Sequence, residues 1–408
     1  MKKVYFLITA GLIGLLYSTC KEDTRLNLID DSAPAPGAVS GVSVKNIPGG
    51  AVLQYKIPTD KNMLYVKAVY TTNRGVVRES RASYYVDTLL IEGYGASGSY
   101  PVTLYAVGKN EKISEPLTVL VEPLPPAVEL SFPDLEVNET FGGVRISFKN
   151  EYEANLAISL MYDSLKNGMW RPLQTFYTKS RTGSFSYLGL DSLDARFGIY
   201  LRDRWDNKSD TLIKELTPLY EERLQKPYIE YNLASDTYLP VEGSQNYALP
   251  QIWDDITSSV NNDIFATPHT SPIPQTFTFR LNDPAIISRI RVHHRQNSEY
   301  AGANVKRFQL YGSNAAVPGD DLAGGDWTLL GEFESFKPSG PGGAVTPEDK
   351  EYANVQGENF ELVVTDKVPN PWIPVRYIRF RSMETWAGNT TTGQVIIAEI
   401  TLSGQVQK

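Results

Sequence analysis

Three histidines, one cysteine and 47 acidic residues are the groups in this 408-residue chain whose spacing could support chemistry. His293 and His294 are adjacent, within the alternating run AIISRIRVHHR. Consecutive side chains of a strand point to opposite faces, so the pair cannot close on one metal ion, and no third histidine or cysteine stands at ligand spacing. Acidic pairs occur at Asp254-Asp255 and Asp320-Asp321. A glycosidase needs two carboxylates roughly 5 to 10 Å apart across a cleft, but sequence neighbours arise by chance among so many acids. Gly93-Tyr94-Gly95-Ala96-Ser97-Gly98 satisfies G-x-G-x-x-G. A dinucleotide site needs a helix after that motif, whereas SYPVTLY alternates like a strand, so it reads as a glycine-rich turn. G-x-S-x-G, H-E-x-x-H and the P-loop are absent.

The elements that must position these residues are short alternating strands. AVLQYKI, LYVKAVY, YYVDTLLI, YPVTLYAV and LTVLVEPL follow one another, separated by Gly, Asn and Pro, and this regular period-2 pattern predicts a β-sandwich over 37–122. Pro123, Pro125 and Pro126 then break the run and rule out a helix there. The landmarks recur beyond them: Gly49-Gly50 before AVLQYKI is matched by Gly142-Gly143 before VRISFKN, and VTLYAVGKNEKISEP by FGIYLRDRWDNKSDT. Two tandem sandwiches, similar to immunoglobulin or fibronectin-III domains, are therefore expected over 37–122 and 123–226, the second ending in a helical stretch, LTPLYEERLQKP. The formal charge of −8 argues against nucleic acid, which is held by neutralising phosphates with Lys and Arg. Twenty-four tyrosines suit strands and polar–apolar boundaries.

The cysteine stands apart from this. Met1-Lys2-Lys3 and the apolar run Val4–Tyr17 have the form of a signal peptide, 1–19, too short to cross a bilayer as a mature helix. Leu16-Tyr17-Ser18-Thr19-Cys20 resembles a bacterial lipobox, which implies that Cys20 is acylated and anchors the chain to outer-membrane lipid. Lys21-Glu22-Asp23 resembles the surface-export tag of Bacteroidetes lipoproteins, implying an outward-facing location. Residues 20–36, which run into the segment DDSAPAPGA, read as a lipidated N-terminus and spacer.

Residues 227–408 carry the remaining chemistry. PQTFTFRL, AIISRIRVHHR, VKRFQLYGSN, DWTLLGEFESFKPSG, VRYIRFRSMETW and AEITLSG come in an order that resembles the discoidin, or coagulation-factor type C, domain. The resemblance implies an eight-stranded antiparallel jelly roll, so the whole chain is expected to be all-β. Taken with the lipobox and the two sandwiches ahead of it, the whole chain resembles a Bacteroidetes multidomain surface lipoprotein, which implies a place beside a glycan importer in a polysaccharide-utilisation system. No cofactor is required, but a structural calcium is implied near the chain ends, on Asp254 and Glu399 with Asp255 and Asp263 as neighbours. The family pattern has Asp-Gly where this chain has Asp254-Asp255.

In AIISRIRVHHR, alternation puts Ile286, Ile290, Val292 and His294 on one face and Arg289, Arg291, His293 and Arg295 on the other; in VRYIRFRS, Ile378 and Phe380 oppose Tyr377, Arg379 and Arg381. The basic faces are expected to be solvated or to meet a ligand. A sugar site needs an aromatic face and a few fixed donors. By the resemblance these come from loops at one end of the roll: His293, Arg295, Tyr300, Asn304 and Trp386, the last either platform or core. Trp253 and Trp327 are expected to be structural. The reading that follows is a non-catalytic glycan-binding surface protein. An adhesion or scaffold protein that binds a protein partner or host surface shares every feature, and a glycosidase is disfavoured because three β-domains use up the chain.

Overall fold

The computed structural model describes residues 29–237, 247–258 and 263–407; Cys20 and the signal segment lie outside the described residues. The chain is all-β. Its described residues separate into two compact units, one running up to Val137 with Ile146–Phe185 and Ala195–Glu215, the other of Asn138–Arg145, Ser186–Asp194 and Leu216 onward.

The first seven strands are β1 (Ser40–Ile47), β2 (Gly50–Lys56), β3 (Met63–Thr71), β4 (Val77–Ser83), β5 (Thr88–Glu92), β6 (Tyr100–Gly108) and β7 (Leu117–Val121). They form sheets ordered β1-β2-β5 and β4-β3-β6-β7. Alternate residues such as Leu53, Val66, Ile91 and Leu104 are buried between them. Tyr100 starts β6 directly after the glycine-rich turn, so no helix follows the G-x-G-x-x-G match.

The next seven strands are β8 (Glu136–Thr140), β9 (Gly143–Lys149), β10 (Leu156–Asp163), β11 (Arg171–Thr178), β12 (Thr182–Leu188), β13 (Ala195–Arg202) and β14 (Lys208–Leu216). Their sheets, β12-β9-β8 and β11-β10-β13-β14, repeat the first order strand for strand. The repeated Gly-Gly pairs explain themselves. Gly49 (φ +64°) and Gly142 (φ +66°) take left-handed turns, and their N–H groups bond Leu124 O at 3.0 Å and Leu219 O at 2.8 Å. A Cβ on Gly50 or Gly143 would stand 2.1 Å from Ile91 O or 1.9 Å from Tyr187 O.

Two local expectations fail here. Ala127–Ser131 is a helical turn with Pro126 at its N-cap: the prolines lie ahead of the turn, where a missing N–H costs nothing. LTPLYEERLQKP is not helical. It contains β15 (Glu222–Arg223), paired with the last strand of the chain as Glu222↔Gly404 and Arg223↔Ser403, and Leu224 is buried in the C-terminal core. The C-terminal roll thus begins before residue 227.

That roll adds β16 (Ile229–Glu230), β17 (Phe265–Ala266), β18 (Gln275–His293), β19 (Val305–Ser313), β20 (Thr328–Glu334), β21 (Glu358–Glu361), β22 (Pro374–Thr385), β23 (Ile396–Ile397) and β24 (Glu399–Val406). Its main sheet runs β15-β24-β18-β22-β19-β20. β18 is 19 residues long and serves four partners, pairing its first half with β22 and β16 and its second with β24 and β21. The register shifts between Arg280 and Ala285, where Asn282 and Asp283 are exposed and Pro284 removes a donor. An aromatic stack fills the core: Phe277 and Phe308 lie face to face with Phe380, centroids 5.0 and 4.7 Å away. Trp253 packs on Tyr228 and Phe279, inside as expected.

Alternation misleads at two places in the roll. A second register shift, between Ile287 and Arg289, puts Ile287 rather than Ile286 fully inside. The basic face, expected to be solvated or to meet a ligand, is largely covered by the chain itself. Arg379 is 2 % exposed. Its guanidinium bonds Asp236 Oδ1 (3.2 Å), Ser235 Oγ (2.6 Å) and Asp320 O (2.7 Å), beneath the loops that carry those residues.

Candidate binding cleft

Three loops meet at one end of the roll: Thr267–Pro274 after β17, Arg295–Asn304 between β18 and β19, and Trp386–Val395 between β22 and β23. Backbone bonds zip them together. Ile273 N donates to Thr391 O (2.8 Å), Gly393 N to Ser271 O (2.9 Å), Ala387 N to Gly302 O (2.7 Å) and Ile396 N to Ala303 O (2.9 Å). Thr267 and Val395 are joined by Thr267 N donating to Val395 O at 3.1 Å, Val395 N donating to Thr267 Oγ1 at 2.9 Å and a longer bond from Thr267 Oγ1 to Val395 O at 3.5 Å. The buried Gln275 Nε2 donates to Gly393 O (2.9 Å).

Between these loops lie two adjoining cavities of about 510 and 310 Å³. They share His269, Arg295, Gln394 and Ile396. Asn389 and Thr392 extend the polar wall, while Tyr247, Ile264 and Ile396 supply the apolar one. No Asp or Glu is among the described lining residues.

Of the five residues expected at a sugar site, only Arg295 and Asn304 line this cleft. Asn304 is buried and its side chain is spent on the loop: Oδ1 accepts from Arg295 N (2.9 Å) and Nδ2 donates to Ser298 O (2.7 Å). It shapes the wall and offers no free amide. Tyr300 is buried, its ring edge-on to Trp386 with centroids 5.3 Å apart and 4.8 Å from His294. Trp386 is half-buried and donates through Nε1 to Ser335 Oγ (3.0 Å). Neither Tyr300 nor Trp386 lines the cleft.

His293 is buried as well, because the helical segment from Pro347 to Gln356 folds over that side of β18. Gly357 closes the segment at φ +74°, where a Cβ would come within 2.5 Å of the His293 ring. Desolvation depresses His293 to about 4 and His294 to about 3, so both are neutral. His294 Nδ1 accepts from Tyr300 N (3.1 Å), which leaves the proton on Nε2, facing Glu358 Oε1 at 3.4 Å. Glu358 accepts from Ser335 Oγ (2.8 Å), and burial pushes its carboxyl up to about 7. A chain of buried polar groups, Trp386–Ser335–Glu358–His294, thus ties two cleft loops to the barrel.

Sequence reasoning missed His269, Gln394, Asn389 and Tyr247. His269 was legible only as a histidine in a Pro-bounded loop, and the amides carry no signal until the loops meet.

The residues expected to hold calcium come together only in part. Glu399 is buried on β24, but its Oε1 accepts from Lys226 Nζ. Asp255 Oδ1 accepts from the same ammonium (3.0 Å) and from Arg223. Asp254 Oδ1 accepts from Ile256 N (2.9 Å), and Asp263 stands close enough to raise Asp254 after desolvation has done so. Among the described residues no group of three His, Cys, Asp or Glu has the geometry to hold a metal ion. The donor set does not fit calcium, since an ammonium already takes two of its oxygens.

Three family models match consecutive segments, each a domain of unknown function: DUF4959 over 36–123, DUF5126 over 124–227 and DUF5000 over 253–404. No curated protein is detectably similar in sequence. Among solved structures, the SusE-like protein BT2857 is 28% identical over 69% of this chain and 100% of its own, with a TM-score of 0.41. A CBM32 module from a family 31 glycoside hydrolase of Clostridium perfringens is 17% identical, over 42% of this chain and 94% of its own, at TM-score 0.29. A two-domain fibronectin type-III segment of chicken tenascin is 13% identical, over 44% of this chain and 99% of its own, at TM-score 0.22.

The cleft presents an imidazole, a guanidinium and two amides over an apolar wall. Such a set can donate to and accept from several hydroxyls at once.

Proposed function

We propose that this protein is a non-catalytic, cell-surface glycan-binding lipoprotein whose C-terminal roll takes a sugar unit of a poly- or oligosaccharide in the cleft around His269, Arg295, Asn389 and Gln394. The observation that carries this reading is the lining itself. Planar donors and acceptors held by hydrogen-bonded loops suit a ring bearing hydroxyls, and the described lining, which contains no Asp or Glu, favours binding over hydrolysis. Anchored through acylated Cys20, the protein would capture polysaccharide at the outer face of the outer membrane for a neighbouring importer or hydrolase. The two sandwiches supply reach.

The test is a glycan array probed with the full chain, wild type beside His269→Ala and Gln394→Ala. Specific binding by the wild type, lost in both variants at unchanged melting temperature, is expected. Silence across the array from folded protein would overturn the reading in favour of a protein partner. Metabolic labelling with a radioactive fatty acid checks the anchor: label on the wild type and none on Cys20→Ser is expected.

A further inference from the structure

Four carboxylates gather at one end of the roll, Asp254, Asp255, Asp263 and Glu399, and they act on one another electrostatically. Such a gathering needs a cation. The Lys226 side chain enters it almost fully buried, 6 % exposed. Its ammonium has three donors, and three acceptors receive them: Glu399 Oε1, Asp255 Oδ1 at 3.0 Å and Thr401 Oγ1 at 3.0 Å. Arg223 holds Asp255 as well. A calcium ion wants six to eight oxygens around one point, and here the point is occupied by a like charge.

We propose that Lys226 is a built-in counter-cation, doing for this acidic cluster what a bound divalent ion would do, so that the domain folds and stays folded without calcium. The proposal is independent of what the cleft binds.

The test uses the full chain and two probes, Ca²⁺ followed by thermal unfolding and Tb³⁺ followed by luminescence sensitised by Trp253, the residue before Asp254. The wild type should melt at the same temperature in chelator and in millimolar Ca²⁺, and should give no stoichiometric Tb³⁺ signal. Lys226→Met removes the charge at similar length. It should lower the melting temperature by roughly 10 °C, gain a Tb³⁺ signal and recover part of the loss in Ca²⁺. Lys226→Arg, which keeps a cation, should gain no Tb³⁺ signal. Stoichiometric Tb³⁺ binding or Ca²⁺ stabilisation in the wild type would overturn the proposal, and so would a Lys226→Met protein as stable as the wild type and indifferent to both ions. If Lys226→Met does not fold, the wild-type measurements decide alone.

Discussion

His294 Nε2 faces Glu358 Oε1 at 3.4 Å, and both side chains are shut off from solvent. The two groups tie stability to pH in opposite directions. Glu358 rises from 4.5 to about 7 on folding, so between those values the folded state keeps a proton that the unfolded chain has released, and stability falls as pH rises. His294 drops from 6.5 to about 3 and His293 to about 4. Below pH 6.5 the unfolded chain takes protons that these folded imidazoles refuse, so stability falls as pH falls. Glu358→Gln should remove its share of the alkaline loss, on the order of 3 kcal/mol, and leave the acid limb intact. Melting temperatures of both proteins from pH 4 to 9 check this.

Arg379 and Asp236 form a buried ion pair, 2 % and 4 % exposed, that pins the segment Ser235–Asp236 to β22. Truncating one partner strands the other charge. Asp236→Ala should cost roughly 3–5 kcal/mol, whereas replacing both residues by apolar ones should cost less than that single change. Denaturant unfolding of the single and double variants measures the difference.

Gly357 holds a left-handed conformation over the His293 ring and Arg291 Cγ, 2.5 and 2.6 Å from a would-be Cβ. Gly357→Ala should cost roughly 2–4 kcal/mol from strain and overpacking together. Because the segment it closes covers His293, hydrogen exchange at Ala353–Asn354 should speed up in the variant. Unchanged exchange there would contradict the covering role.

Trp386 and Gln394 should separate in a binding assay. The Trp386 indole N–H is bonded to Ser335 behind the cleft, so Trp386→Ala should lower the melting temperature and weaken binding together. Gln394 lines both cavities, and Gln394→Ala should weaken binding roughly tenfold or more at unchanged melting temperature. The reverse pattern would make the tryptophan the sugar platform and the glutamine a support.

The sequence by itself determined the strands and their grouping. Alternation such as that of AVLQYKI and VRISFKN, the Gly-Gly pairs at 49–50 and 142–143, and Pro-rich breaks are local signals, because side-chain period and backbone sterics act over a few residues. They led to an all-β chain with a repeated sandwich, while the C-terminal roll and the structural place of Trp253 rest on the resemblance of the ordered C-terminal segments to a known domain. They could not decide which outward face stays wet. Arg379 and His293 alternate like surface residues, yet loops and a helical segment distant in sequence cover them. Lys226 meets Glu399 across 173 residues, and His269 meets Gln394 only when two loops zip together. Burial and pairing are properties of what lies opposite a residue, and for these groups the tertiary structure alone brings that partner into place.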